Sequence, residues 1–155
     1  MAEIVIRGTA VVQAPPQVVY GIFADYHDGH PHVLPRPHFG RLVVERGGTG
    51  AGTRFTVQAR EGMKMRTYRM DVTEPEPGRL LVETDVDSDL STHFLVEPAD
   101  GGAARVTITT RYTRPGVRGW LESRLLPGLA GPVFRQELRN VERLARERSA
   151  VPTPA

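Results

Sequence analysis

The chain has 155 residues, 39% hydrophobic and 25% charged, the balance of one globular domain rather than of a disordered, collagen-like or coiled-coil chain. Its 20 Lys and Arg against 18 Asp and Glu leave a net charge of +2 with no clustered basic stripe, so nucleic acid is not an expected partner. Cysteine is absent, which excludes disulfides, thiolate nucleophiles and Cys-ligated zinc or iron–sulfur sites.

Met1 to Arg7 lacks the basic start and long apolar run of a secretory signal. No stretch approaches the roughly 18 apolar residues of a membrane span. A soluble, cytoplasmic protein without stable membrane insertion is expected. Glu3–Gln13, with Ile4, Ile6, Val11 and Val12, reads as a first strand. Ala14-Pro15-Pro16 opens a helix, because proline suits the first helical turn. Val18, Val19, Ile22 and Phe23 give that helix an apolar stripe, and it ends near Asp25-Tyr26. His27–His38 holds Pro31, Pro35 and Pro37 and leaves room for at most one short helical turn.

From Phe39 the period becomes two. Strands are expected at Arg41–Arg46, Thr53–Arg60, Met63–Thr73, Arg79–Thr84, Leu90–Glu97 and Arg105–Tyr112. The turns between them are Gly47–Gly52, Glu61-Gly62, Glu74–Gly78, Asp85–Asp89 and Pro98–Ala104. The last third returns to helical spacing through Leu121, Leu125, Phe134, Leu138, Val141 and Ala145. Glu122, Arg124, Arg135, Glu137, Arg139, Glu142, Arg143 and Arg146 fill its other face, the alternating charges of a solvated surface. Pro127-Gly128 and Gly131-Pro132 are expected to kink or break this helix at its start. A single amphipathic helix cannot bury its stripe alone. The expected fold is therefore α+β. A curved seven-stranded antiparallel sheet wraps around the long C-terminal helix, with one or two short helices after the first strand. Residues 1–148 form one domain and Ser149–Ala155 a disordered tail.

Three segments carry a family likeness: Ala14-Pro15-Pro16-Gln17-Val18-Val19-Tyr20 followed by Phe23-Ala24-Asp25-Tyr26, the glycine turn Gly50-Ala51-Gly52-Thr53, and Glu74-Pro75-Glu76-Pro77-Gly78-Arg79-Leu80. In order and spacing they resemble the START/Bet v 1-like (SRPBCC) superfamily, and within it the polyketide cyclase/dehydrase and lipid-transport branch. The likeness covers roughly residues 3 to 148. It implies a helix-grip fold with an internal cavity for lipids, sterols, polyketides or plant hormones, and a glycine hairpin that gates the cavity. It does not imply one chemistry, since members carry, sense, cyclise or act as co-chaperones.

Candidate sites follow from strand parity. Phe55, Val57, Tyr68, Met70, Phe94, Val96, Ile108 and Thr110 point inward, and Arg66 and Thr92 share that parity. A bulge near Met63 and Met65 would reverse Arg66. Tyr68 is placed to donate a hydrogen bond to a ketone or enolate. Trp120–Phe134 is expected to roof the cavity, with His27–His38 and Gly47–Gly52 at its rim. His27, His30, His32 and His38, near Asp25 and Asp28, have spacings that suit a metal, yet a proline-fixed loop accounts for them. At the rim, His30 or His32 would instead bond a ligand oxygen. Neither a metal nor a cofactor is expected. Asp85–Asp89 opens like a calcium loop but lacks the required glycine and glutamate at Leu90 and Val96. Gly47–Gly52 precedes a strand, not the helix a phosphate loop needs. The leading expectation is a carrier or sensor for a small apolar or amphipathic molecule, lipid-like, polyketide-like or aromatic. A polyketide aromatase/cyclase or dehydratase is the alternative, and a co-chaperone or stress-type interaction module a further one. A homodimer is compatible with each.

Overall fold

The structure, a computed structural model, describes residues 2–150. In chain order it comprises β1 (Ala2–Val12), α1 (Pro16–Ala24), α2 (His30–Val33), β2 (Phe39–Arg46), β3 (Arg54–Glu61), β4 (Lys64–Glu76) and β5 (Leu80–Asp85). Then come β6 (Ser91–Pro98), a 3-10 turn at Asp100–Gly102, β7 (Ala104–Arg114) and α3 (Gly116–Ala150). The strands form one seven-stranded antiparallel sheet in the order β1-β7-β6-β5-β4-β3-β2. Successive strands from β2 to β7 are hairpin neighbours, and β1 closes the far edge against β7. The sheet curves around α3, the helix-grip architecture.

The alternating strands build the core. Phe55 and Val57 of β3, Met70 and Val72 of β4, Phe94 and Val96 of β6, and Val106 and Ile108 of β7 are all buried on one face. Opposite them lie α1, with Val19, Ile22 and Phe23, and the stripe Leu138, Val141 and Ala145 of α3. Burying each large apolar side chain stabilises by about 1.5–3 kcal/mol, so the pattern as a whole decides which face turns inward. Pro16 occupies the first turn of α1, where its missing N–H removes no helical bond. Gly8 marks a close approach of α3 to β1. A Cβ there would lie 2.8 Å from the Cβ of Phe134, so a larger residue would push the helix off the sheet.

Some expectations change. Pro127 and Pro132 lie inside one continuous helix. Both are exposed, and the carbonyls they leave without a helical partner belong to Ser123, half-buried, and Gly128, exposed. The tail is helical through Ser149 and Ala150, and residues 151–155 lie outside the described residues. Glu74–Glu76 belongs to β4, which shortens the proline turn to 77–79. Asp85–Asp89 is a hairpin turn: the Asp85 carboxylate accepts from the Ser88 hydroxyl at 2.6 Å and from the Asp87 N–H at 3.4 Å. Among the described residues, no helix is long and apolar enough to cross a membrane.

Candidate functional site

Between the concave face of the sheet and the α3 segment from Leu126 to Glu137 lies a cavity of about 370 Å³. That is within the range of small-molecule sites. Its origin is geometric. A single long helix laid on a curved sheet meets it over only part of its length. α3 is seated through Leu138, Val141 and Ala145, while Leu121 and Leu125 towards its start are exposed.

Phe55 and Val57 line this cavity, as do Tyr68, Met70, Thr92, Phe94 and Thr110 from the next strands. Phe134 of α3 and His30 of α2 join them. The other expected site residues stay outside. Arg66 keeps the inward parity, opposite Ala59 in an unbroken β3–β4 register, so no bulge reverses it. It sits too close to the hairpin tip, where its guanidinium lies 5.0 Å above the Tyr68 ring and 3.4 Å from Glu61. Trp120 is 55% exposed, off the helical face that carries Leu126, Ala130, Phe134 and Glu137. His32 is exposed, about 200° around α2 from His30.

The four histidines do not converge. His30 is buried, His27 and His32 are exposed, and His38 is a half-buried cavity wall. Burial, and then the charge of Arg60, hold His38 below the usual imidazole range. Among the described residues, no group of three or more His, Asp or Glu is placed to hold a metal ion. The glycine turn is not at the rim either. Tyr26 N–H donates to Gly48 O at 2.9 Å, Gly50 N–H to Ala24 O at 2.8 Å, and Ala51 N–H to Glu74 at 2.7 Å. These bonds pin Gly47–Gly52 between the end of α1 and β4. The partly exposed wall is made instead by Leu34, His38, Phe39 and Arg60.

The cavity also contains a polar cluster that strand and helix patterns did not single out. Glu83 of β5 and Glu137 of α3 line it beside His30, and all three are buried. The Tyr26 hydroxyl donates to Glu83 Oε1 at 2.7 Å. His30 Nδ1 lies 2.8 Å from the Phe23 carbonyl, which can only accept, so Nδ1 carries a hydrogen. His30 Nε2 then faces Glu83 Oε1 at 3.4 Å, and these are both acceptors unless one of them is protonated. Stacking of Tyr26 on His30, with ring centres 4.8 Å apart, fixes the imidazole. Burial raises the Glu83 carboxyl, against the opposing effects of His30 and Tyr26.

Glu137 is the outlier. It falls on the buried stripe of α3, not on the charged face expected for it, and is 3% exposed. Its Oε1 is buried without a hydrogen-bond partner. Burial, then the charge of Glu83, pushes its carboxyl up to about 8, so it is a neutral acid at pH 7. An unsatisfied buried polar group costs about 1–3 kcal/mol. Such a cost is commonly borne where a ligand completes the site. The signals were available. Glu137 follows Phe134 by three and precedes Val141 by four, which is the apolar stripe itself. Glu83 shares a face with Leu81 and pairs opposite Thr92, an expected inward residue.

A family model described as polyketide cyclase/dehydrase and lipid transport matches residues 3–146. No curated protein matches the chain in sequence. Among solved structures, KanY is 26% identical with a TM-score of 0.79, the match covering 94% of this chain and 99% of that one. The Zhui aromatase/cyclase of Streptomyces sp. R1128 is 14% identical with a TM-score of 0.75, covering 96% and 97%. A norcoclaurine synthase of Thalictrum flavum, solved as a point mutant with a transition-state analogue, is 17% identical with a TM-score of 0.70, covering 96% and 98%.

Proposed function

The chain belongs to the polyketide cyclase/dehydrase and lipid-transport family, within the START/Bet v 1-like superfamily, and from that premise we propose that it takes up one small amphipathic molecule in the cavity under α3, as carrier or sensor. The observation that carries this reading is the cavity itself: about 370 Å³, roughly a dozen waters' worth of liquid at about 30 Å³ each. Its walls are mainly apolar, with Phe55, Val57, Met70, Phe94 and Phe134 among them. An apolar body gains by leaving water there, and the few polar groups orient one end of it. A lipid-like, polyketide-like or aromatic molecule meets that description. The family's own breadth, from enzymes to carriers, is why the site and not the fold must choose.

The test is a titration of the purified protein with the neutral fluorophore N-phenyl-1-naphthylamine. Micromolar binding, about −8 kcal/mol, is expected. Thr110→Trp should fill the space and abolish binding while circular dichroism and the melting point show a folded domain. A folded wild type that binds no apolar probe, or a Thr110→Trp variant that binds as before, overturns the reading.

A second reading, a cyclase or dehydratase acting on a polyketide-like substrate, is favoured by a separate observation. His30, Glu83 and Glu137 bring exchangeable protons into a water-poor space, and Tyr68 faces the same cavity. Arg66 and His32 lie outside it and have no part in that chemistry. A co-chaperone-type interaction module, which needs no such cavity, draws no support from this site.

A further inference from the structure

We propose that Glu137 receives the polar end of the ligand, donating its carboxyl proton to an uncharged carbonyl oxygen, and that the cavity thereby selects neutral ketone- or ester-bearing molecules over those ending in a carboxylate or an ammonium. This rests on the cavity being a ligand site, as proposed above.

Glu137 offers a free valence at the buried end. Several of the cavity's other polar groups there are at least partly engaged. Glu83 Oε1 accepts from Tyr26 and faces His30. His30 Nδ1 is held by the Phe23 carbonyl. The hydroxyls of Thr92 and Thr110 bond each other at 2.9 Å. Glu137 Oε1, on a residue only 3% exposed, has no such partner. A neutral carboxyl has one proton to give and a carbonyl oxygen can accept it, so the two pair directly.

Charged ends fit badly. An ammonium brings a full charge and three donors into a mainly apolar cavity, and stripping it of water costs more than a few hydrogen bonds return. A carboxylate would meet Glu137 and Glu83 together, two acids against it. The groups that face Glu137 across the cavity are Glu83 on β5, His30 on α2, His38 after α2, Arg60 on β3 and Tyr68 on β4. Arg60, the arginine among them, is exposed to solvent at the outer wall, where water screens it. The proton that Glu137 donates is retained at neutral pH, because its carboxyl titrates at about 8.

The experiment compares four probes of one shape, by displacement of N-phenyl-1-naphthylamine: 2-acetonaphthone, its hydrocarbon isostere 2-isopropenylnaphthalene, 2-naphthoate and 2-naphthylmethylammonium. At pH 6.5 the ketone should bind about 2- to 12-fold more tightly than the hydrocarbon, the worth of one net hydrogen bond. Both ions should bind no better than the hydrocarbon. At pH 9.5, with Glu137 ionised, the advantage of the ketone should vanish. Glu137→Gln keeps an N–H donor that does not titrate, so its preference for the ketone should persist at pH 9.5. In Glu137→Leu, ketone and hydrocarbon should bind alike. A ketone preference that survives Glu137→Leu overturns the inference. So does an ammonium that binds best and gains affinity with pH, which would make Glu137 a counter-ion. If the hydrocarbon binds and the ketone gains nothing, this inference fails and the ligand cavity stands. If folded wild type binds neither the fluorophore nor any of the four probes, both fail. Should a variant not fold, the pH dependence of the wild type still decides.

Discussion

In its last turns α3 buries Leu138, Val141 and Ala145 to 4%, 0% and 1% exposure, whereas in its first turns Val117, Trp120, Leu121 and Leu125 remain 76%, 55%, 45% and 58% exposed. The two ends are held by different forces. The C-terminal half is seated by apolar burial, each large side chain contributing about 1.5–3 kcal/mol. The start is tied by polar contacts: Arg114 to Glu122 at 3.1 Å and to Glu61 at 3.2 Å, and Arg118 to Glu122 at 2.9 Å. Partly exposed ion pairs of this kind contribute about 0–1 kcal/mol each. The helix is thus anchored at one end and tethered at the other, and the cavity lies under the tethered part. Opening that part would break weak contacts and leave the core intact, which suits a site that must admit and release a molecule.

The sharpest way to break this comparison is to truncate one apolar residue in each half. Leu138→Ala should cost about 2–5 kcal/mol in urea unfolding, and Leu125→Ala less than about 0.5. Similar costs for the two would show that the halves are not distinct. Next in size is the acid between them. Glu137→Leu removes an unsatisfied polar group and should raise stability by about 1–3 kcal/mol, read from the same unfolding curves.

The pH dependence has a definite sign. The folded state holds the Glu137 proton up to about pH 8, while the unfolded chain releases it near 4.5, the ordinary glutamate value. The unfolded state therefore binds fewer protons across that window, and stability falls as pH rises through it, by up to about 1.4 kcal/mol per pH unit. Below the window the contribution is constant. Glu137→Gln should flatten that slope, and an unchanged slope in the variant would assign it elsewhere. A smaller effect, about 0–1 kcal/mol, is expected for Arg118→Ala, which cuts a tether. Its clearer readout is stopped-flow release of N-phenyl-1-naphthylamine, which should be faster. Trp120→Ala should change neither stability nor probe affinity measurably, since the side chain is exposed and off the cavity face; a clear loss of affinity would put Trp120 back into the roof.

Much of the fold was legible because burial imposes a period. Alternation marked Phe55, Val57, Met70, Phe94 and Thr110 as inward, and they line one cavity. Parity alone could not say how far along a strand the cavity extends. Arg66 has the right face and the wrong height, since it lies near the hairpin tip, where Glu61 and the Tyr68 ring hold its guanidinium. Helical spacing places Phe134 and Leu138 inside, but a charged residue type reads as outer face, which misplaces Glu137. The prolines of α3 do not break it. Each removes one backbone bond, and the helix runs on through both.

From the sequence alone follow the element order, the antiparallel hairpins, the long closing helix and the apolar character of the inner face, because each rests on local periodicity and turn chemistry. Only the tertiary structure decided which polar groups share the cavity. His30, Glu83 and Glu137 come from α2, β5 and α3, and Tyr26, which donates to Glu83, follows α1. No local pattern relates them, and their protonation is set by burial and by one another, both of which exist only once the sheet has closed around the helix.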